Sequence, residues 1–229
     1  SILFFRLGDF YEMFDDDAKE ASKVLEIALT SREAGAQGRI PMCGVPHHAA
    51  EGYLEKLVRN GYRVALCEQL EDPKQAKGVV KRDVVRVITP GTFIEGKIDG
   101  AKNQFLAAIG WEQRSWGLAL LDMSTGEFTT SSFTSWVHLE DELRRQQPAE
   151  ILVTADLPIG NDLSVLAENL SAVITQVRET QESLGAASQS LLKHFAVSSL
   201  KVFDLVNSAQ ILAASLALQY VQDTQRGVL

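Results

Sequence analysis

Ile2-Leu3-Phe4-Phe5-Arg6-Leu7-Gly8-Asp9-Phe10-Tyr11-Glu12-Met13-Phe14 reads as two strands folded back on each other at Gly8-Asp9. Its β-branched and aromatic residues favour extended backbone, and a Gly-Asp pair between two apolar runs is a turn signal. Strand side chains repeat every two residues, so Phe10 and Glu12 share one face. A flat apolar ring beside one carboxylate, close to Arg6 and to a glycine that admits close backbone approach, suits contact with something planar that has polar edges. A nucleic-acid base fits that description. The competing reading makes Phe10, Tyr11 and Phe14 ordinary core aromatics of an edge strand.

Outward from this hairpin, Asp15-Asp16-Asp17 supply N-cap and first-turn charge for a helix whose inner face is Ala18, Ala21, Leu25 and Ala28. Ser31–Gly38 reads as a polar loop, and Ile40–Pro46 as an extended segment. A second amphipathic helix is predicted over Ala49–Asn60, opened by a partly buried histidine and turning Tyr53, Leu54, Leu57 and Val58 inward. Arg63–Gln69 and Val84–Thr89 are predicted strands, the latter closed by Thr89-Pro90-Gly91-Thr92 in type II turn chemistry. The polar, Gly-containing run from Glu95 to Asn103 is the predicted linker. Beyond it, Phe105–Trp111, Trp116–Met123 and Glu127–Phe133 read as an antiparallel meander. A helix at Ser135–Gln147, a buried strand at Glu150–Val153 and helices near Asp162–Asn169, Gln181–Phe195 and Ser208–Gln222 follow. Meander first, then alternating helix and strand, is the order of a ribonuclease-H-like domain. The predicted class is therefore α/β, a mixed-sheet domain over 1–95, a linker over 96–102 and a ribonuclease-H-like domain over 103–229.

The chain has 229 residues, 45% hydrophobic and 23% charged, and no apolar run approaches the roughly 20 residues of a membrane span. Its start carries no basic leader, which predicts a cytoplasmic protein. Cys43 and Cys67 lie in no metal or redox spacing and read as small buried hydrophobes. The net charge of −8 is unevenly spread: 14 Lys+Arg against 16 Asp+Glu in residues 1–100 (−2), and 8 against 14 beyond (−6). Between Pro73 and Ile88, Lys74, Lys77, Lys81, Arg82 and Arg86 face only Asp83, or +4 in 16 residues. That suffices for phosphate contacts, although a solvated Lys-rich loop has the same composition.

Of three patterns that invite chemistry, two fail on inspection and one stays as an alternative. Gly91-Thr92-Phe93-Ile94-Glu95-Gly96-Lys97-Ile98 nearly matches a phosphate-binding loop, but Ile98 lacks the Mg²⁺-binding hydroxyl and Asp99-Gly100 follows where a helix should begin. Cys43, His47 and His48 have no second pair of metal ligands. Asp122, with Glu112 or Glu127 nearby, leaves open a metal-dependent nuclease on a ribonuclease-H-like fold, yet the first meander strand carries no carboxylate. No catalytic and no metal-ligating residue is therefore assigned.

Four stretches, Phe5–Phe14, Ile40–Ala49, Val64–Gln69 and Val85–Thr92, together closely resemble the amino-terminal part of the MutS family of DNA mismatch-recognition proteins. The resemblance extends to Leu218–Gln225. It implies a mismatch-binding domain followed by a connector domain, in a fragment without the family's lever, clamp and ATPase domains. By resemblance, Phe10 stacks on a mispaired base from the minor groove and Glu12 hydrogen-bonds to it. Arg32, Lys77, Lys81, Arg82 and Arg86 are candidate backbone contacts for sequence-independent positioning. Phosphates repel a carboxylate and desolvation raises its pKa, so Glu12 is expected to be protonated when it donates to the base. The implied partners are mismatched duplex DNA, a MutL-type protein at the connector and a second copy in the full-length protein. The implied cofactors, ATP and Mg²⁺, also belong to the full-length protein, which would work in the bacterial cytoplasm at the nucleoid.

Overall fold

The computed structural model describes residues 1–33, 35, 38–71, 80–94, 104–159 and 162–225. They form two compact units, one of Ser1–Thr89 and one that takes in Pro90–Ile94 and the chain up to Asp223. Each is built on its own mixed sheet. The predicted linker 96–102 lies outside the described residues, as do Lys74 and Lys77.

In the first unit, β1 (Ile2–Leu7) and β2 (Phe10–Phe14) form the predicted antiparallel hairpin. Gly8 turns it at φ +59°, a conformation that costs glycine little. With β3 (Thr30–Glu33), β4 (Arg39–Pro46), β5 (Val64–Gln69) and β6 (Arg82–Ile88), the sheet order is β3-β4-β2-β1-β5-β6. β5 runs parallel to β1, and the other neighbours are antiparallel. Helices α1 (Asp15–Leu25) and α2 (Ala50–Arg59) pack on the face that carries Phe4, Tyr11, Met13, Cys43 and Val45. Small residues let α1 lie close: Ala18 and Ala21 are fully buried, and the Cys43 thiol reaches the Ala18 carbonyl at 3.4 Å. Burial pushes that thiol up to about 11, and both cysteines are free. Leu54, Leu57 and Val58 of α2 are buried, each contributing about 1.5–3 kcal/mol.

Several local expectations are corrected. No side chain caps α1; Asp15 itself has φ +51°, and Asp17 instead accepts from the Leu3 amide at 2.8 Å. The helix stops at Leu25 on a left-handed Glu26, so Ala28 lies outside it and is exposed. Part of the predicted loop Ser31–Gly38 is strand β3, because its backbone pairs with Arg39–Met42. His47 and His48 form a short 3-10 turn before α2 and are exposed. Gly91 does not have the positive φ of a type II turn. It is glycine for space: a Cβ there would lie 2.6 Å from Leu106 Cδ1 and 2.9 Å from Glu150 Cβ.

In the second unit, β7 (Phe105–Glu112), β8 (Ser115–Asp122) and β9 (Glu127–Phe133) are the predicted meander. β10 (Glu150–Thr154) and β11 (Val173–Arg178), the second unforeseen, add parallel strands to give β11-β10-β7-β8-β9. This is the ribonuclease-H-like α/β order. Strand alternation divides the core into two layers. Phe105, Ala107 and Ile109 face α3 (Trp136–Gln146) and α4 (Asp162–Leu170), whereas Leu106 and Ala108 face α5 (Leu184–Phe195) and α6 (Ser208–Thr224). Gly110 and Gly117 are directly paired across β7 and β8, and the backbone of α6 lies on them. A Cβ at Gly117 would meet the Ala209 carbonyl oxygen at 2.0 Å, and one at Gly110 would meet it at 2.5 Å. Glu150 is fully buried in the same unit and accepts from Tyr220 Oη (2.7 Å), Thr175 Oγ1 (2.5 Å) and the Gly91 amide (3.0 Å).

Candidate nucleic-acid interface

The parity of β2 is realised in its burial. Tyr11 and Met13 point into the helix-covered side and are buried, whereas Phe10 on the opposite face is 48% exposed. The core-aromatic reading therefore holds for Tyr11 and fails for Phe10. Tyr11 is held by a hydrogen bond from its hydroxyl to Glu68 and by Arg6 over its ring at 5.6 Å. Burial first, and Glu68 second, push its phenol pKa well above the ordinary value. Backbone pairing holds Phe10 between Leu7 of β1 and Pro46 of β4, and Glu12 between Phe5 and Gly44.

Glu12 has a partner that the sequence does not advertise. Its Oε2 accepts from Arg32 Nη1 at 2.9 Å, with the two side chains 20% and 52% exposed. Arg32 stands on edge strand β3, and it reaches Glu12 past β4. Gly44, the β4 partner of Glu12, packs closely on β2: a Cβ there would lie 3.2 Å from the Tyr11 carbonyl oxygen and 3.6 Å from Glu12 Cγ. An exposed pair of this kind is worth about 0–1 kcal/mol, so a competing partner can displace it.

The other predicted backbone contacts are placed differently. The Arg82 guanidinium lies 5.3 Å from the Phe5 ring centroid, within cation–π range, and donates to the carbonyls of Arg6 (3.0 Å) and Val80 (3.0 Å). Arg82, Phe5, Glu12 and Arg32 thus form one row across the uncovered side of the sheet, two guanidinium groups flanking a ring and a carboxylate. Lys81 is exposed at the start of β6. Arg86 is half withdrawn into the protein, its Nε has no partner among the described residues, and burial lowers its pKa. Phe5 was legible, because counting back from Gly8-Asp9 sets it opposite Glu12. Gly44 and the Arg32 pairing depend on long-range strand order, for which no local signal exists.

Of the carboxylates on the strands of the second unit, Asp122 and Glu150 are buried. Asp122 is 1% exposed and its Oδ1 accepts from the Ser124 amide (2.8 Å) and hydroxyl (2.6 Å), closing the β8–β9 turn. Among the described residues no three His, Cys, Asp or Glu groups converge as a metal site, and no helix is long and apolar enough to cross a membrane.

Residues 1–97 match the family profile described as MutS domain I, and residues 104–229 match MutS domain II. The chain belongs to the MutS family. A DNA mismatch repair protein MutS of Syntrophomonas wolfei is 45% identical over 232 residues, covering 99% of this chain and 27% of that protein. The corresponding protein of Desulforamulus reducens is 46% identical over 233 residues, 99% of this chain and 26% of its own length. That of Desulfitobacterium hafniense reaches 59% over 157 residues, 69% of this chain and 18% of its own. The chain thus spans about a quarter of the length of the first two of these MutS relatives. Membership in the MutS family does not favour the nuclease alternative raised by Asp122.

Proposed function

We propose that this chain is the mismatch-reading and connector part of a DNA mismatch repair protein, with residues 1–95 touching the mispair and 103–229 linking them to the rest of the molecule. The half-exposed Phe10 ring, on a strand paired on both sides and next to Glu12, carries this reading. Inserting such a wedge from the minor groove unstacks a base step at a cost of a few kcal/mol, less where pairing is already defective. Stacking on the ring returns about 1–3 kcal/mol and accepts any base. The deformability of the step therefore discriminates without base-specific contacts. Glu12 then hydrogen-bonds to the exposed base as a protonated acid, while on matched duplex it stays charged and repels phosphate.

ATP and Mg²⁺ are assigned to the larger part of such a protein beyond this chain. The near-match at Gly91 does not suit a phosphate: its amide donates to the Glu150 carboxylate and its Cα is pressed against Leu106. Within this chain the work is mechanical and recognitive. A MutL-type partner at the connector and a second copy of the full-length chain complete the assignment, and the setting is the bacterial cytoplasm.

The test is binding of matched and mismatched duplex by the full-length protein carrying Phe10→Ala. The mismatch preference is expected to fall to near unity. Unfolding stability should change by less than about 1 kcal/mol, as for an exposed side chain. An unaltered preference would overturn the wedge. Glu12→Gln should retain or raise affinity for matched duplex and lose discrimination; equal loss on both duplexes would remove Glu12 from the reading.

A further inference from the structure

We propose that Arg32 is a specificity-determining residue that changes partner: it pairs with Glu12 in the free protein and on matched duplex, and passes to a backbone phosphate when a mispaired base engages Glu12. This rests on the reading of Glu12 just given. The 2.9 Å pair joins a half-exposed guanidinium on an edge strand to a carboxylate next to the wedge. A guanidinium fork accepts carboxylate or phosphate with equal geometric ease, so Arg32 can exchange one anion for the other. The pair also moderates the cost of a carboxylate at a surface proposed to face DNA, since Arg32 offsets part of the repulsion between Glu12 and phosphates. Once Glu12 takes a proton from solvent and donates it toward the base, the uncompensated charge on Arg32 is met by a phosphate. Arg82 and Lys81 do not duplicate this role: the Arg82 guanidinium is bonded to two carbonyls over Phe5, and among the described residues no hydrogen bond or ion pair links Lys81 to Glu12.

The signature is a phosphate contact made only on mismatched DNA. Each such contact adds about 0.9 to the slope of log affinity against log salt, or about 3.5-fold in affinity over a fourfold change of salt. In the full-length protein, Arg32→Ala should lower the slope on mismatched duplex by about that amount and leave the matched slope unchanged. Arg32→Lys should retain the mismatched slope, which separates charge from fold. Glu12→Gln should raise the matched slope by about the same amount, because Arg32 is then released beforehand. Equal lowering of both slopes by Arg32→Ala would make Arg32 an ordinary backbone contact, and no change in either would make it a spectator; both results overturn the proposal. A Phe10→Ala arm separates the two levels. If it keeps its mismatch preference, the wedge reading fails and the exchange falls with it. If it loses preference while Arg32→Ala acts alike on both duplexes, only the exchange falls.

Discussion

Tyr11 stands between the two outward-facing residues and points the other way, into burial and toward Glu68. Its phenol is an acid whose folded pKa lies above the ordinary value near 10. The folded protein then holds this proton more tightly than the unfolded chain does. The resulting stability is fully present below about pH 10 and is lost as pH rises above it, by up to about 1.4 kcal/mol per pH unit. Denaturant unfolding between pH 9 and 11.5 should show this loss in the wild-type protein and a shallower one in Tyr11→Phe; equal slopes would contradict the assignment. The parity that separates Tyr11 from Phe10 and Glu12 is visible in the sequence because strand periodicity is local. The pairing of Arg32 with Glu12 is not visible, since it depends on a short polar strand, Thr30–Glu33, whose only extended-structure cue is its pairing with β4.

Among the elements, α6 lies close on the paired glycines of β7 and β8. At Gly117 the missing Cβ would overlap the Ala209 carbonyl, which belongs to helix backbone and cannot swing aside. Gly117→Ala should therefore destabilise the second unit by about 1–3 kcal/mol or more, with the helix displaced from the sheet. Gly185→Ala, in α5 with open space around it, should instead add about 0.5–1 kcal/mol through helix propensity. Thermal unfolding of the two variants checks the contrast, and similar shifts would refute it. Helix and meander positions were legible from periodicity, whereas the ends were less so. Helices α1, α3 and α5 stop on left-handed Glu26, Gln147 and Ala196, none of which is the glycine that marks such a stop. β11 was missed for a related reason: it follows a left-handed Ser171, and its Val-Ile-Thr-Gln-Val-Arg run is only partly buried at the sheet edge.

Across the whole molecule, chemistry and charge are divided. The first 100 residues are nearly neutral at −2, and the remainder carries −6, so the first part of the chain repels an anion less than the remainder does. The second unit keeps a nuclease-like strand order, and among the described residues no three His, Cys, Asp or Glu groups converge as a metal site: Asp122 Oδ1 closes a turn, and Glu150 is buried under Tyr220, Thr175 and Gly91. Labelled duplex incubated with this chain and Mg²⁺ or Mn²⁺ should remain intact, matched or mismatched; divalent-dependent cleavage would reinstate the nuclease reading. The fold class was legible here from element order alone. The engagement of each carboxylate was not, because it is decided by residues up to 70 positions apart.

β2 is hydrogen-bonded to β1 on one flank and to β4 on the other, with two helices behind it. When two bodies are pressed together, the deformation goes to the more compliant one. A ring on a frayed loop would give way itself and report little about what it touched. On the proposed reading, Phe10, mounted on a doubly clamped ladder, would act as the hard tip of an indenter and leave the yielding to the duplex. Such a tip would register the softness of a base step, a mechanical property that every kind of mispair alters in the same direction.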